Sequence, residues 1–401
     1  MILKLIVLSV YFSILLGIGY FASRRVRNIT DYYVGGKKLG YWIAALSARS
    51  TGESGWLLIG VTGMGALMGF SAFWIVVGEV LGVWISWKYM AKKFKRMTDE
   101  YNSITIPDFL VSHFKSTTHL IRIVSATALS FFVVIYVSAQ IDVTGKTFES
   151  FLGFNYYTGI TIGFGIVVLY IFSGGFLAVA WSDFFQGSLM FIGLLLLPVV
   201  AYFSVSTDVS LINGLRDIDP ALLDIWGAGG FTLMNIVTVL GLLSIGIGFM
   251  GSPQVYVRFI AIKNTAEIEK GKWVAIVYTF LTDSAAVMIG ILGRYMLTKA
   301  GDNPEMILGN AGEDVLALVL GQVMPALIIG VYIAAVLSAV MSTVDSLLVV
   351  ASSAVTRDFY QHILNPDVDE TKLMGFSKKV TLALAVLALG VALAVSVLSP
   401  T

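Results

Sequence analysis

The 401-residue sequence contains no cysteine. That excludes disulfides, thiolate metal sites and cysteine nucleophiles, and leaves oxygen ligands and carboxylates for any ion chemistry. Charge is scarce as well: Asp, Glu, Lys and Arg make up 13% of the residues, with a formal net charge of +1. The three histidines, His113, His119 and His362, fall between the long apolar runs, so no histidine metal cluster, intramembrane proton relay or transition-metal site is expected. No G-x-x-x-x-G-K-[ST] loop is present to support ATP hydrolysis, and no H-E-x-x-H pair marks an intramembrane metalloenzyme. Neither an enzyme, a cofactor nor a nucleic-acid partner is expected.

Apolar length is what the sequence has in quantity. Hydrophobic residues are 57% of the chain and the mean hydropathy is +0.86, a composition foreign to soluble domains. Runs long enough to cross a hydrocarbon core of about 30 Å recur throughout. Spans are expected near 2–22, 40–68, 72–90, 120–145, 157–176, 181–204, 232–257, 273–297, 316–354 and 379–398, making a multi-pass protein of the lipid bilayer. The first run lacks the basic start and small-residue cleavage site of a signal peptide and is followed by Arg24, Arg25 and Arg27, so it reads as a spanning helix.

Ten alternating spans place 20 of the 26 Lys and Arg residues in loops of one side. Only Lys146, Arg216, Arg294 and Lys299 fall on the other, with Lys4 and Arg49 remaining. The basic side is therefore expected to be cytoplasmic and the N-terminus extracytoplasmic, in a cell (inner) membrane. The opposite loops, 205–231 and 298–315, are acidic and read as solvated connections.

Two spans contain poor helix sequence. Ser50-Thr51-Gly52-Glu53-Ser54-Gly55 interrupts an apolar stretch with residues that offer the backbone competing hydrogen bonds, so unwinding is expected there. Five spans later come Gly246, Gly248 and Gly251-Ser252-Pro253, where proline removes a backbone donor. Paired discontinuities in two halves mark inverted-repeat transporters, with the solute site between the breaks.

Three collinear stretches carry a family likeness: Ser54-Gly55-Trp56-Leu57-Leu58-Ile59-Gly60, Ser173 to Asp183, and Ala339-Val340-Met341-Ser342-Thr343. Thr105 to Leu110 and Thr356 to Tyr360 extend the match. On these residues the chain resembles the sodium/solute symporter family, nearest its sodium/proline branch. The resemblance implies an all-α, LeuT-like membrane domain over 1–401. It comprises an extra N-terminal helix at 2–22, a first five-helix repeat at 40–204, and a second at 232–398 lacking its last helix.

The resemblance also implies a sodium site made by the carbonyls of Ser50, Glu53 and Ala339 and the hydroxyls of Ser342 and Thr343. Independently of it, Ala339 and Ser342 share one helical face, and a helical carbonyl keeps a second lone pair for a cation. Asp183 matches an acidic position on the family's sodium path; with Asp345 and Ser346 it forms a candidate second ion path. Solute contacts are expected from Gly52, Ser54, Tyr136, Gln140, Phe249 and Pro253. The sequence departs from the proline branch at four positions. Gly52 replaces an aspartate, Glu53 an apolar residue, and Ile245 and Phe249 stand where the branch has two aromatics, so that a ring and a hydroxyl are lost. Arg49 could neutralise Glu53 as an internal ion pair.

The function these readings imply is sodium-coupled symport of a small organic solute, amino-acid-like or carboxylate, by alternating access, with sodium as coupling ion. Two alternatives stand beside it. Glu53 or Asp183 could cycle protons in place of sodium, or a transporter-like membrane domain could sense solute without accumulating it.

Overall fold

The computed structural model describes residues 1–205 and 210–398; 206–209, in the acidic loop 205–231, and 399–401 lie outside the described residues. The described chain is helical, its only strand-like pairing an isolated bridge between Leu39 and Ile262. Helices satisfy their own backbone groups, which lipid cannot.

Helix α1 is Ile2–Ser23. Helix α2, Tyr41–Trp56, passes through a π-helical turn, Leu57–Val61, into α3, Thr62–Met68; α4, Phe73–Ile85, and α5, Ala91–Glu100, complete a 60-residue run. Drawn out straight, that run would be about 90 Å long, three times the hydrocarbon core. It folds back at Gly69, whose φ of +61° favours glycine. Gly271 faces both Tyr41, where α2 begins, and Trp87, just beyond α4, so the two ends of the hairpin lie side by side.

Helix α6, Ile106–His113, is a short connection before α7, Leu120–Leu152, and α8, Tyr156–Ser204. The expected spans 157–176 and 181–204 are separated not by a loop but by a single residue, Gly175 (φ 53°, ψ −149°). A lone glycine suffices because it alone takes that backbone conformation without Cβ strain. Gly163 then packs on Thr144, while Gly187, beyond the bend, packs on Ser50.

Helices α9, Leu233–Phe249, and α10, Pro253–Ala261, are bent by 41° across the second expected discontinuity. Helix α11, Thr265–Leu297, packs along α2, α3 and α4. The expected span 316–354 is divided into α12, Val315–Val323, and α13, Ala326–Ser353. Pro325 causes this, because proline pushes the preceding residue out of helical geometry, and Met324 is extended (ψ 140°). Helix α14, Glu370–Leu398, begins earlier than the expected 379.

Among the described residues seven helical segments are long and apolar enough to cross a membrane, and the α9–α10 pair makes an eighth. Tyr156–Phe172 is a shorter apolar helix. Every residue of α13 from Tyr332 to Ser353 is buried. It is the central post, packed on α1, α2, α7, α8 and α14, and its buried hydroxyls and Asp345 therefore face protein and not lipid.

The loops rich in Lys and Arg meet at one end of the molecule. Lys37 bonds Asp99 at 3.1 Å, Lys95 reaches the Ile260 carbonyl at 3.0 Å, and Lys92 pairs with Glu269. At this end Asp108 accepts from Arg122 and Arg357, both at 2.7 Å, and His362 lies 3.3 Å away. Burial alone would push the Asp108 carboxyl up, but bonding to His362, Arg357 and Arg122 outweighs it and holds the group well below the usual carboxylate range. Lys146 pairs with Glu313 at 3.5 Å at the opposite end.

Candidate ion and solute site

The first break falls at one residue of the expected stretch. Ser50 to Glu53 remain helical, and Ser54 turns out of the helix at φ 53°, ψ −177°. That conformation is strained for a residue with a Cβ and is held by new partners. The Gly55 N–H donates to Gln140 Oε1 at 3.1 Å, and the Trp56 N–H to Ser54 Oγ at 3.2 Å.

Helix α13 lies against this break. Ser342 Oγ donates to the Ser50 carbonyl at 3.0 Å, with the Ala339 carbonyl 3.2 Å away. Thr343 Oγ1 donates to the Thr51 carbonyl at 3.1 Å and lies 3.0 Å from the Ala339 carbonyl. All five residues, Ser50, Thr51, Ala339, Ser342 and Thr343, are completely buried. The arrangement gathers three carbonyls and two hydroxyls, neutral oxygens suited to a hard monovalent cation. Thr51 is a member that sequence reasoning missed. The Glu53 carbonyl instead accepts from the Leu57 N–H, and its side chain pairs with Arg49.

Arg49 is buried among acids on three helices. Besides Glu53 it faces Glu79 of α4 at 4.0 Å, with Asp283 of α11 also buried in the group. Its guanidinium stacks over the Phe249 ring, 4.5 Å from the centroid. The internal pair is thus real, and it ties the first break to the helix preceding the second.

A second polar cluster lies toward the basic end. Asp183 accepts from Arg258 Nη2 at 2.7 Å and from Ser47 Oγ. Arg258 also bonds Ser346, whose hydroxyl donates to Asp345 at 3.2 Å; Tyr170 donates to Asp345 at 2.7 Å. Asp183, Asp345 and Ser346 are therefore brought together. Arg258, which sequence analysis counted only among loop charges, is completely buried at their centre. Its position five residues after Pro253, at the edge of an expected span, was the available signal.

Between the two breaks is a cavity of about 450 Å³, within the range of small-molecule sites. Gly52, Tyr136 and Pro253 line it, with Ser252 and Gln254. Ser54, Gln140 and Phe249 are buried behind its wall.

The model of the sodium:solute symporter family matches residues 32–398. The high-affinity proline transporter PutP of Bacillus subtilis is 36% identical over 93% of this chain and 77% of its own. The sodium/proline symporter of Escherichia coli is 32% identical over 97% of this chain and 76% of its own. Among solved structures, a substrate-bound, outward-open sodium-coupled sialic acid symporter superposes with a TM-score of 0.84 at 20% identity, covering 98% of this chain and 82% of that one. The fold is accordingly the LeuT-like one.

Proposed function

This chain belongs to the sodium:solute symporter family, and from that premise we propose which residues carry its ions and solute. It is a multi-pass membrane transporter that couples solute movement to sodium, not an enzyme, and sodium is its coupling ion. The proposed solute is small and amino-acid-like, with proline the first to test because the similar transporters are named for it.

The proposed sodium ligands are the carbonyls of Ser50, Glu53 and Ala339 and the hydroxyls of Ser342 and Thr343, with the Thr51 carbonyl added. The observation that carries this reading is the pair of bonds from Ser342 and Thr343 to the strained helix α2. A cation there would hold α13 and α2 together more firmly than two hydroxyl bonds. Asp183, Asp345 and Ser346 are proposed to form the ion path toward the basic end. Solute is proposed to sit in the cavity against Gly52, Tyr136 and Pro253, with Ser54, Gln140 and Phe249 shaping the wall behind. The two halves of the LeuT-like core are proposed to be 40–204 and 232–398, preceded by the helix at 2–22. The basic end is proposed to face the cytoplasm of a cell (inner) membrane, with the N-terminus outside.

The test is uptake of labelled proline, then of other amino and carboxylic acids, by proteoliposomes under an inward sodium gradient. Accumulation that requires sodium and fails in potassium supports the reading. Accumulation driven by a proton gradient alone would give the coupling to protons, and binding without accumulation would make the protein a sensor.

A further inference from the structure

The charges around Arg49 do not balance. Glu53 of α2, Glu79 of α4 and Asp283 of α11 share its single guanidinium, and none of the four residues is more than 7% exposed. Three carboxylates against one basic group leave an excess of negative charge in the interior, where an uncompensated charge is costly. A sodium ion held between Ser342 and Thr343 and the same stretch of α2 would offset part of that excess and leave one carboxylate without a counter-charge.

Hydrogen bonding is as incomplete as charge. Arg49 Nη2 donates to Glu53, and Glu79 Oε2 stands 4.0 Å from the same nitrogen. Asp283 Oδ1 accepts from its neighbour Thr282 Oγ1 at 3.2 Å. Among the described residues Glu79 Oε2 and Asp283 Oδ2 have no hydrogen-bond partner, and neither do Arg49 Nε and Nη1. The free oxygens belong to different helices, and no three acids among the described residues converge closely enough to hold a metal ion. A cation that carries several N–H donors meets this spread of acceptors better than a bare ion does.

The cluster adjoins the cavity. Tyr136, on the cavity wall, lies beside Ser54 and within electrostatic reach of Glu53 and Glu79. Gly52, also on the wall, puts no side chain in the way, and the Phe249 ring beside it carries the Arg49 guanidinium on its face. We propose that the solute is a basic amino acid, whose side-chain ammonium passes Gly52 into the Glu53, Glu79 and Asp283 cluster and supplies the missing positive charge. A zwitterion of zero net charge, such as proline, leaves the excess in place. This inference rests on the symport reading above and narrows its amino-acid-like solute to a cationic one.

Labelled L-lysine is bound to the detergent-solubilised full chain in sodium and displaced by unlabelled L-ornithine, L-norleucine or L-proline. L-norleucine has the carbon skeleton of lysine without its second amine, so the comparison isolates the charge. Lysine and ornithine should bind about tenfold or more tightly than norleucine and proline. Asp283→Asn should weaken lysine binding by about tenfold or more and leave norleucine unchanged, which shrinks the preference. Failure of lysine to bind, neutral amino acids binding as tightly as lysine, or an equal loss for lysine and norleucine in Asp283→Asn would each overturn the proposal and leave protons to balance the acids. If Asp283→Asn does not fold, Glu79→Gln takes its place with the same expectations. Unfolding midpoints in sodium and in potassium on the same preparation separate this inference from the reading beneath it. Selective stabilisation by sodium with neutral amino acids preferred sinks the cationic solute alone, and a lysine preference without sodium stabilisation sinks the symport reading alone.

Discussion

Thr343 Oγ1 and the Thr51 carbonyl meet at 3.1 Å, although 292 positions separate them in the chain. Ser342 and Ser50 are joined in the same way beside them, so α13 is stitched to α2 one turn before Ser54, where α2 breaks.

Ser342→Ala/Thr343→Ala should have two separable effects. Loss of the two bonds destabilises the protein by about 1–3 kcal/mol in any salt. Loss of the proposed ligands removes the extra stabilisation given by sodium over potassium at matched ionic strength. Thermal unfolding of the detergent-solubilised protein in both salts measures the two together. Selective sodium stabilisation surviving in the double variant would place the ion elsewhere.

The Arg49 group answers to a mutant cycle. Arg49→Gln leaves buried Glu53, Glu79 and Asp283 without their guanidinium and should cost about 3–5 kcal/mol. Arg49→Gln/Glu53→Gln should cost less than the single change, because it removes a stranded carboxylate along with its partner. Unfolding midpoints of parent, singles and double give the coupling; additive losses would refute a direct dependence.

Much of this was legible in the sequence because membrane physics writes in composition. The 50–55 cluster and Gly251-Ser252-Pro253 announced both breaks, and the segregated Lys and Arg announced one basic end. What was not legible depends on packing. Nothing local distinguishes Gly175, which turns the chain unaided, from glycines that only permit close approach. Arg258 resembled its loop neighbours until α10 was seen to fold inward. Thr51 contributes a carbonyl, and a carbonyl leaves no mark in residue type.

Asp108 makes stability depend on acid. Its folded-state carboxyl is held below the ordinary value, so the unfolded chain takes up the proton first as pH falls. The stabilisation is fully present above the ordinary aspartate value near 4 and is lost progressively as pH falls below it. Unfolding midpoints of the parent should therefore decline through that acidic range. Asp108→Asn should start lower at neutral pH and fall less steeply, and equal slopes would show that other carboxyls set the acid response.

Gly52 tests whether the cavity wall has freedom to move. A Cβ at this position would run into the Phe249 ring. The ring has little room to retreat, being 7% exposed with the Arg49 guanidinium on its face. Gly52→Ala should consequently cost about 1–3 kcal/mol by overpacking, despite the helix-favouring substitution. Gly52→Ala/Phe249→Ala should recover part of that loss, because the second change removes the obstructing atoms while itself leaving a void. Stability and sodium-driven uptake are to be measured on the same preparations. Recovery of both in the double variant would show that the Gly52–Phe249 contact shapes the cavity, whereas a single Gly52→Ala variant as stable and active as the parent would show that the ring gives way.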